Sequence, residues 1–106
     1  MKFNSTVRVQ THFANKYLKQ VCKHWEHSLP VAFDEEHGRI TFAKNARGAN
    51  WPTDAQVTLQ ANDAELICTI SASATGQRDA LKSALERHID RYAFREQPLV
   101  YQWIDE

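Results

Sequence analysis

From Phe3 to Gln10 the chain alternates, with Phe3, Ser5, Val7 and Val9 set against Asn4, Thr6, Arg8 and Gln10. Period two is the signature of a strand with one buried face. The period then changes. In ANKYLKQVCKHWEHS (14–28), Ala14, Tyr17, Leu18, Val21, Cys22 and Trp25 recur at helical spacing, with Lys16, Lys19, Lys23 and His27 on the opposite side. This predicts an amphipathic helix of about four turns that ends before Pro30.

Two short apolar runs follow, VAFD (31–34) and RITF (39–42), joined by EEHG. They predict a hairpin in which Gly38 takes the positive φ of the turn. The stretch AKNARGANWPTDA (43–55) is rich in Asn, Gly, Asp and Pro and reads as a loop. A second hairpin is predicted from AQVTLQA (55–61) and ELICTISA (65–72), joined by Asn62-Asp63-Ala64, with β-branched residues at alternate positions. Thr75 is placed to cap a second helix over 76–96, with Asp79 near the positive end of its dipole. Leu81, Ala84, Leu85, His88, Ile89 and Tyr92 form its apolar face. Pro98 stops it, and Leu99, Tyr101 and Trp103 alternate as a final strand.

The order β-α-β-β-β-β-α-β, with hairpins joining neighbours, predicts an α+β two-layer sandwich: a mostly antiparallel sheet with two helices on one face. The other face is predicted to be polar, carrying Thr6, Arg8, Gln10, Thr58 and Gln60. A monomer or a homodimer formed through that face is compatible with this layout. The length of 106 residues makes residues 1–106 a single domain. Apolar residues at 42% and charged residues at 25% exclude a disordered or collagen-like chain. No apolar run approaches the roughly 20 residues that span a bilayer, so no membrane partner is expected. Lys+Arg and Asp+Glu balance at 13 each, which gives nucleic acid no overall charge to bind. The balance conceals opposite signs in the two halves of the chain. The N-terminal MKFNSTVRVQ has no apolar core of a secretory signal. Cys22 and Cys68 are too far apart for a CxxC motif and sit in apolar patterns. A cytoplasmic protein with reduced, buried thiols is the expectation.

Candidate chemistry is sparse. His24 and His27, three apart on the first helix, could share a zinc or iron ion, with His88 or His37 as a further ligand. No cofactor is predicted beyond that alternative. His88 interrupts the apolar face of the second helix, where an imidazole needs partners for its nitrogens. Arg87, Arg91 and Arg95 form a stripe four residues apart, beside Asp90 and Glu96. Guanidinium forks bind carboxylate or phosphate bidentately. The site expected for a small anion is therefore Arg91 and Arg95, with His88 in or under it and Glu96 orienting the arginines. GxSxG, GxGxxG and P-loop motifs are all absent. A binding module is thus favoured over an enzyme, the enzymatic alternative being weak acid–base catalysis centred on His88 and Glu96.

The residues also carry a resemblance. Ala14, Tyr17, Leu18, Gln20, Cys22, His24 and Trp25 lead into Pro30-Val31, Phe33 and Gly38-Arg39-Ile40. The ending His88-Ile89-Asp90-Arg91-Tyr92-Ala93-Phe94-Arg95-Glu96 is followed by Trp103. Over nearly its whole length the chain resembles the small bacterial domain-of-unknown-function 2218 family. The resemblance implies a two-layer α+β fold similar to the C-terminal domain of phosphohexomutases. It also implies an accessory role in siderophore-iron metabolism, with a siderophore-interacting reductase or another protein as partner. It brings no catalytic residues with it.

Overall fold

A computed structural model describes residues 2–96 and 98–106, the side chain of Arg47 apart. Strand β1 (Phe3–Gln10) is followed by helix α1 (Ala14–Glu26), then β2 (Val31–Phe33), β3 (His37–Phe42), β4 (Ala55–Ala61) and β5 (Glu65–Ala72). Helix α2 (Thr75–Tyr92) and the two-residue strand β6 (Ile104–Asp105) complete the chain. The strands form one sheet in the order β2-β3-β4-β5-β1-β6, and every pairing is antiparallel.

The period-two segments place their apolar sets on one face because register aligns them. Phe33, Gly38, Leu59, Cys68 and Val7 form one cross-strand row, and Val31, Ile40, Val57, Ile70 and Ser5 the next. Both helices cover that face, α1 over β2 to β5 and α2 over β5 and β1. Leu18, Val21 and Cys22 of α1 and Leu85 and Ile89 of α2 are completely buried against it. Each such aliphatic side chain contributes about 1.5–3 kcal/mol. The opposite face is uncovered and polar: Thr6, Thr69, Thr58 and Arg39 stand in one row, and Arg8, Ile67, Gln60 and His37 in the next.

Several local expectations are corrected. Gly38 does not close the hairpin with a positive φ; it lies inside β3, and Gly48 is the glycine with positive φ. The turn is Asp34–His37, where the Asp34 carboxylate accepts from the backbone N–H groups of Glu36 and His37 at 2.9 and 2.8 Å. Those donors hold the Asp34 carboxyl below its usual range. Gly38 is needed for a different reason: α1 comes so close that a Cβ there would sit 2.7 Å from the Cys22 Sγ.

Thr75 is not a cap. Ala74 holds the N-cap position without a capping side chain, and the first turn has no acidic residue. Instead the Gln77 Oε1 accepts from the Ser73 N–H at 2.7 Å. Helix α1 stops at Glu26, and α2 stops at Tyr92 rather than continuing to 96. Beyond α2, Glu96 turns back toward α1 and accepts hydrogen bonds from the Thr11 hydroxyl at 2.6 Å and from the Tyr17 hydroxyl. The final strand is also shorter than the alternation of Leu99, Tyr101 and Trp103 suggests. Tyr101 and Trp103 are instead tied to α2: the Tyr101 hydroxyl donates to Asp90 and the Trp103 indole N–H to Glu86, each at 2.8 Å. Strand pairing begins only at Ile104.

Candidate functional site

The two helices meet through aromatic rings. His24 and Trp25 close α1, and His88 faces them from α2, with ring centroids 4.7 Å from His24 and 4.3 Å from Trp25. Phe42, at the end of β3, meets the Trp25 ring edge-on at 5.2 Å. The position that breaks the apolar face of α2 is thus filled by an imidazole lying against an indole. The His88 Nδ1 donates to the Ala84 carbonyl one turn back at 2.6 Å, since a carbonyl can only accept. This fixes the tautomer and the plane of the ring.

The segment between β3 and β4 forms a flap beside this cluster. It contains a short 3-10 turn, Ala46–Gly48, and is closed by a hydrogen bond from the Trp51 N–H to the Lys44 carbonyl at 2.9 Å. The Lys44 N–H donates to the Asp54 carboxylate at 2.8 Å. Gln77 and Ser73 tie the far end of the flap to the start of α2. The Gln77 Nε2 donates to the Thr53 carbonyl at 3.0 Å, and the Ser73 hydroxyl accepts from the Thr53 N–H at 3.2 Å. Trp51 lies on the first turn of α2, where a Cβ at Gly76 would come within 2.9 Å of its ring. Gly76 carries the cost of a glycine inside a helix because that indole occupies the space.

Between flap and helices lies a cleft of about 470 Å³. Trp25, Phe42, Trp51 and His88 supply its rings, and Ala46, Ala49, Ala80 and Ala84 its narrow walls. Arg87 lines it and pairs with no carboxylate among the described residues. None of the residues lining the cleft is acidic. Among the described residues the cavity has aromatic and methyl walls, one guanidinium and no carboxylate, a lining that favours an apolar body bearing negative charge.

The residues named from the sequence separate in the structure. His88 lines this cleft, as does Arg87 from the arginine stripe. Arg91 is exposed beyond it. Arg95 and Glu96 line a different hollow of about 350 Å³, together with Phe13, Lys16, Tyr17, Tyr92 and Phe94. Glu96 does not orient the arginines, because its carboxylate is held by Thr11 and Tyr17; Asp90 is engaged by Tyr101. Burial and the Glu96 bond push the Tyr17 phenol up to about 12. His88 and Glu96, paired as an acid–base couple in one alternative, thus stand in separate hollows. Of the metal alternative, the structure brings His24 to His88, leaves His27 exposed, and puts His37 at the β2–β3 hairpin, 3.8 Å from Asp34. Among the described residues, no three His, Cys, Asp or Glu side chains gather as a metal site. Cys22 and Cys68 are free and buried, as expected. Burial raises their thiols to about 11 and about 12.

Trp51, Phe42 and Gln77 line the cleft too, although the sequence marks none of them as part of a small-ligand site. The legible signal was the pairing of Gly76, a glycine in a helix's first turn, with the loop tryptophan that needs its space. Among the described residues, no helix is long and apolar enough to cross a membrane.

Comparison with known proteins gives a fold relative. The solution NMR structure of PA4090 from Pseudomonas aeruginosa is 24% identical in sequence and superposes with a TM-score of 0.75, over 96% of this chain and 95% of that one. No curated protein matches the chain. Residues 6–104 match the family described as uncharacterised protein conserved in bacteria (DUF2218), and the chain belongs to that family.

Proposed function

We propose that this domain is a ligand-binding module whose site is the cleft between α1, α2 and the 43–54 flap. Its ligand is a small, largely apolar anion of the aryl or alkyl carboxylate type. The observation that carries this reading is the lining: among the described residues, four rings and several alanines stand around one guanidinium, with no acidic side chain. Arg87 supplies the charge, Trp51 and Phe42 supply apolar contact, and His88, locked by the Ala84 carbonyl, forms part of the floor.

The experiment is calorimetric titration of the intact protein with 1-naphthoate, decanoate and inorganic phosphate. Naphthoate or decanoate is expected to bind saturably and phosphate not. Arg87→Ala is expected to weaken the carboxylate roughly tenfold to a hundredfold, the worth of one charged hydrogen bond. Arg95→Ala should leave it unchanged. Equal binding by wild type and Arg87→Ala, or a loss confined to Arg95→Ala, would move the site away from the cleft.

A further inference from the structure

The second hollow is independent of the cleft and has a different chemistry. It lies where the start of α1 meets the end of α2, and the Tyr17–Glu96–Thr11 hydrogen bonds form its base. Thr11 is itself buried, and its hydroxyl accepts from the Phe13 N–H at 3.0 Å, so the base is a fixed part of the fold. Phe13 and Phe94 border the hollow with 53% and 68% of their surface exposed, two of the four large apolar side chains the described chain leaves in water. Lys16 and Arg95 stand beside them, and neither pairs with a carboxylate among the described residues. The Arg95 guanidinium instead lies over the Phe94 ring, 5.5 Å from its centroid. The one acidic group present, Glu96, already accepts two hydrogen bonds.

We infer that this hollow is a docking site for an acidic protein segment carrying an aromatic or other bulky apolar side chain. The apolar side chain enters between Phe13 and Phe94, and flanking Asp or Glu residues meet Lys16 and Arg95. Charge complementarity selects the acidic partner, because the two cations outnumber the single, engaged carboxylate. Shape selects a protein segment over a lipid surface, because the two phenylalanines border a concavity about 350 Å³ in volume. Aromatic side chains, phenylalanine included, and arginine are also enriched at protein interfaces.

The test is a display selection of random dodecapeptides on the intact protein, followed by affinity measurements on the recovered sequences. Binders are expected to combine an aromatic residue with two or more Asp or Glu. They should lose tenfold or more in affinity in Phe94→Ala and in Arg95→Glu, and be unaffected by Arg87→Ala. Both test positions are exposed, so the variants fold. Three results would overturn the inference: no binders, binders indifferent to Phe94→Ala and Arg95→Glu, or protein that sediments with phosphatidylserine vesicles through those same residues. The third would assign the surface to lipid.

Discussion

Single residues here are fixed by what presses against them. Gly38 sits in a strand, where glycine is unfavourable, because the Cys22 sulfur occupies the place of its Cβ. Gly38→Ala should therefore destabilise the fold by about 1–3 kcal/mol, the usual cost of overpacking a closed core. Cys22→Ala in the same chain removes the colliding sulfur and should return part of that loss, and the coupling is read from urea midpoints of the four proteins in the double-mutant cycle. Additive losses would show that the two positions do not collide. Glu96 gives a second case. Glu96→Ala removes the acceptor of Thr11 and Tyr17, and each orphaned hydroxyl costs about 1–3 kcal/mol. Glu96→Gln keeps an acceptor and should cost less. Neither should change carboxylate binding in the cleft; a loss there would restore Glu96 to the ligand site. The sequence exposes the type of such residues but not their neighbours. Gly38 follows Glu35, Glu36 and His37, so turn chemistry was the natural reading, while the strand's contact with a helix sixteen residues earlier leaves no local mark.

At the scale of elements, what was legible followed from periodicity. Strand β1 and the β4–β5 hairpin are found at the residues their alternation marks, since a buried face permits only one register. Element ends were less legible because tertiary bonds set them. Helix α2 keeps an uncapped start because Gln77 reaches back to Ser73, and it ends early because Glu96 is drawn to α1. Gln77 is 3% exposed and joins helix, strand end and flap. Gln77→Ala should leave the sheet intact, speed hydrogen exchange at Thr53 by releasing the Ser73 hydroxyl that the Thr53 N–H meets, and weaken carboxylate binding several-fold by loosening Trp51. Unchanged exchange at Thr53 would show that the flap is held by other bonds. The arginine stripe shows the limit of helical periodicity. Arg87, Arg91 and Arg95 share a spacing, but α2 ends between the last two, and only Arg87 reaches the cleft.

For the molecule as a whole, the buried thiols make a pH prediction with a definite sign. Burial raises Cys22 and Cys68 to about 11 and about 12 in the folded chain, above the model-peptide value near 8.5 that the unfolded chain takes. The unfolded chain then releases protons that the folded chain keeps. Stability is full below about pH 8 and falls as pH rises through 9 to 11. Denaturant midpoints across that range should decline, less steeply in Cys68→Ala relative to its own neutral-pH value. A flat profile would show the thiols ionise equally in both states. At the acid end, Lys82, Ser5 and Arg78 hold the Asp105 carboxyl below its usual range. That contribution is present above the unfolded value near 3.9 and is lost as pH falls through the lower folded value.

The proposed site is one cleft, between two helices and a flap, that accepts a small apolar anion. The most direct measurement is an amide NMR titration of the intact protein with 1-naphthoate, which reports on every part of the surface at once. Saturable shifts at Trp25, Phe42, Trp51 and residues 80–88, with residues 13–17 and 91–96 unmoved, are the expected result. Saturable shifts confined to residues 91–96, or none at millimolar naphthoate, would contradict it.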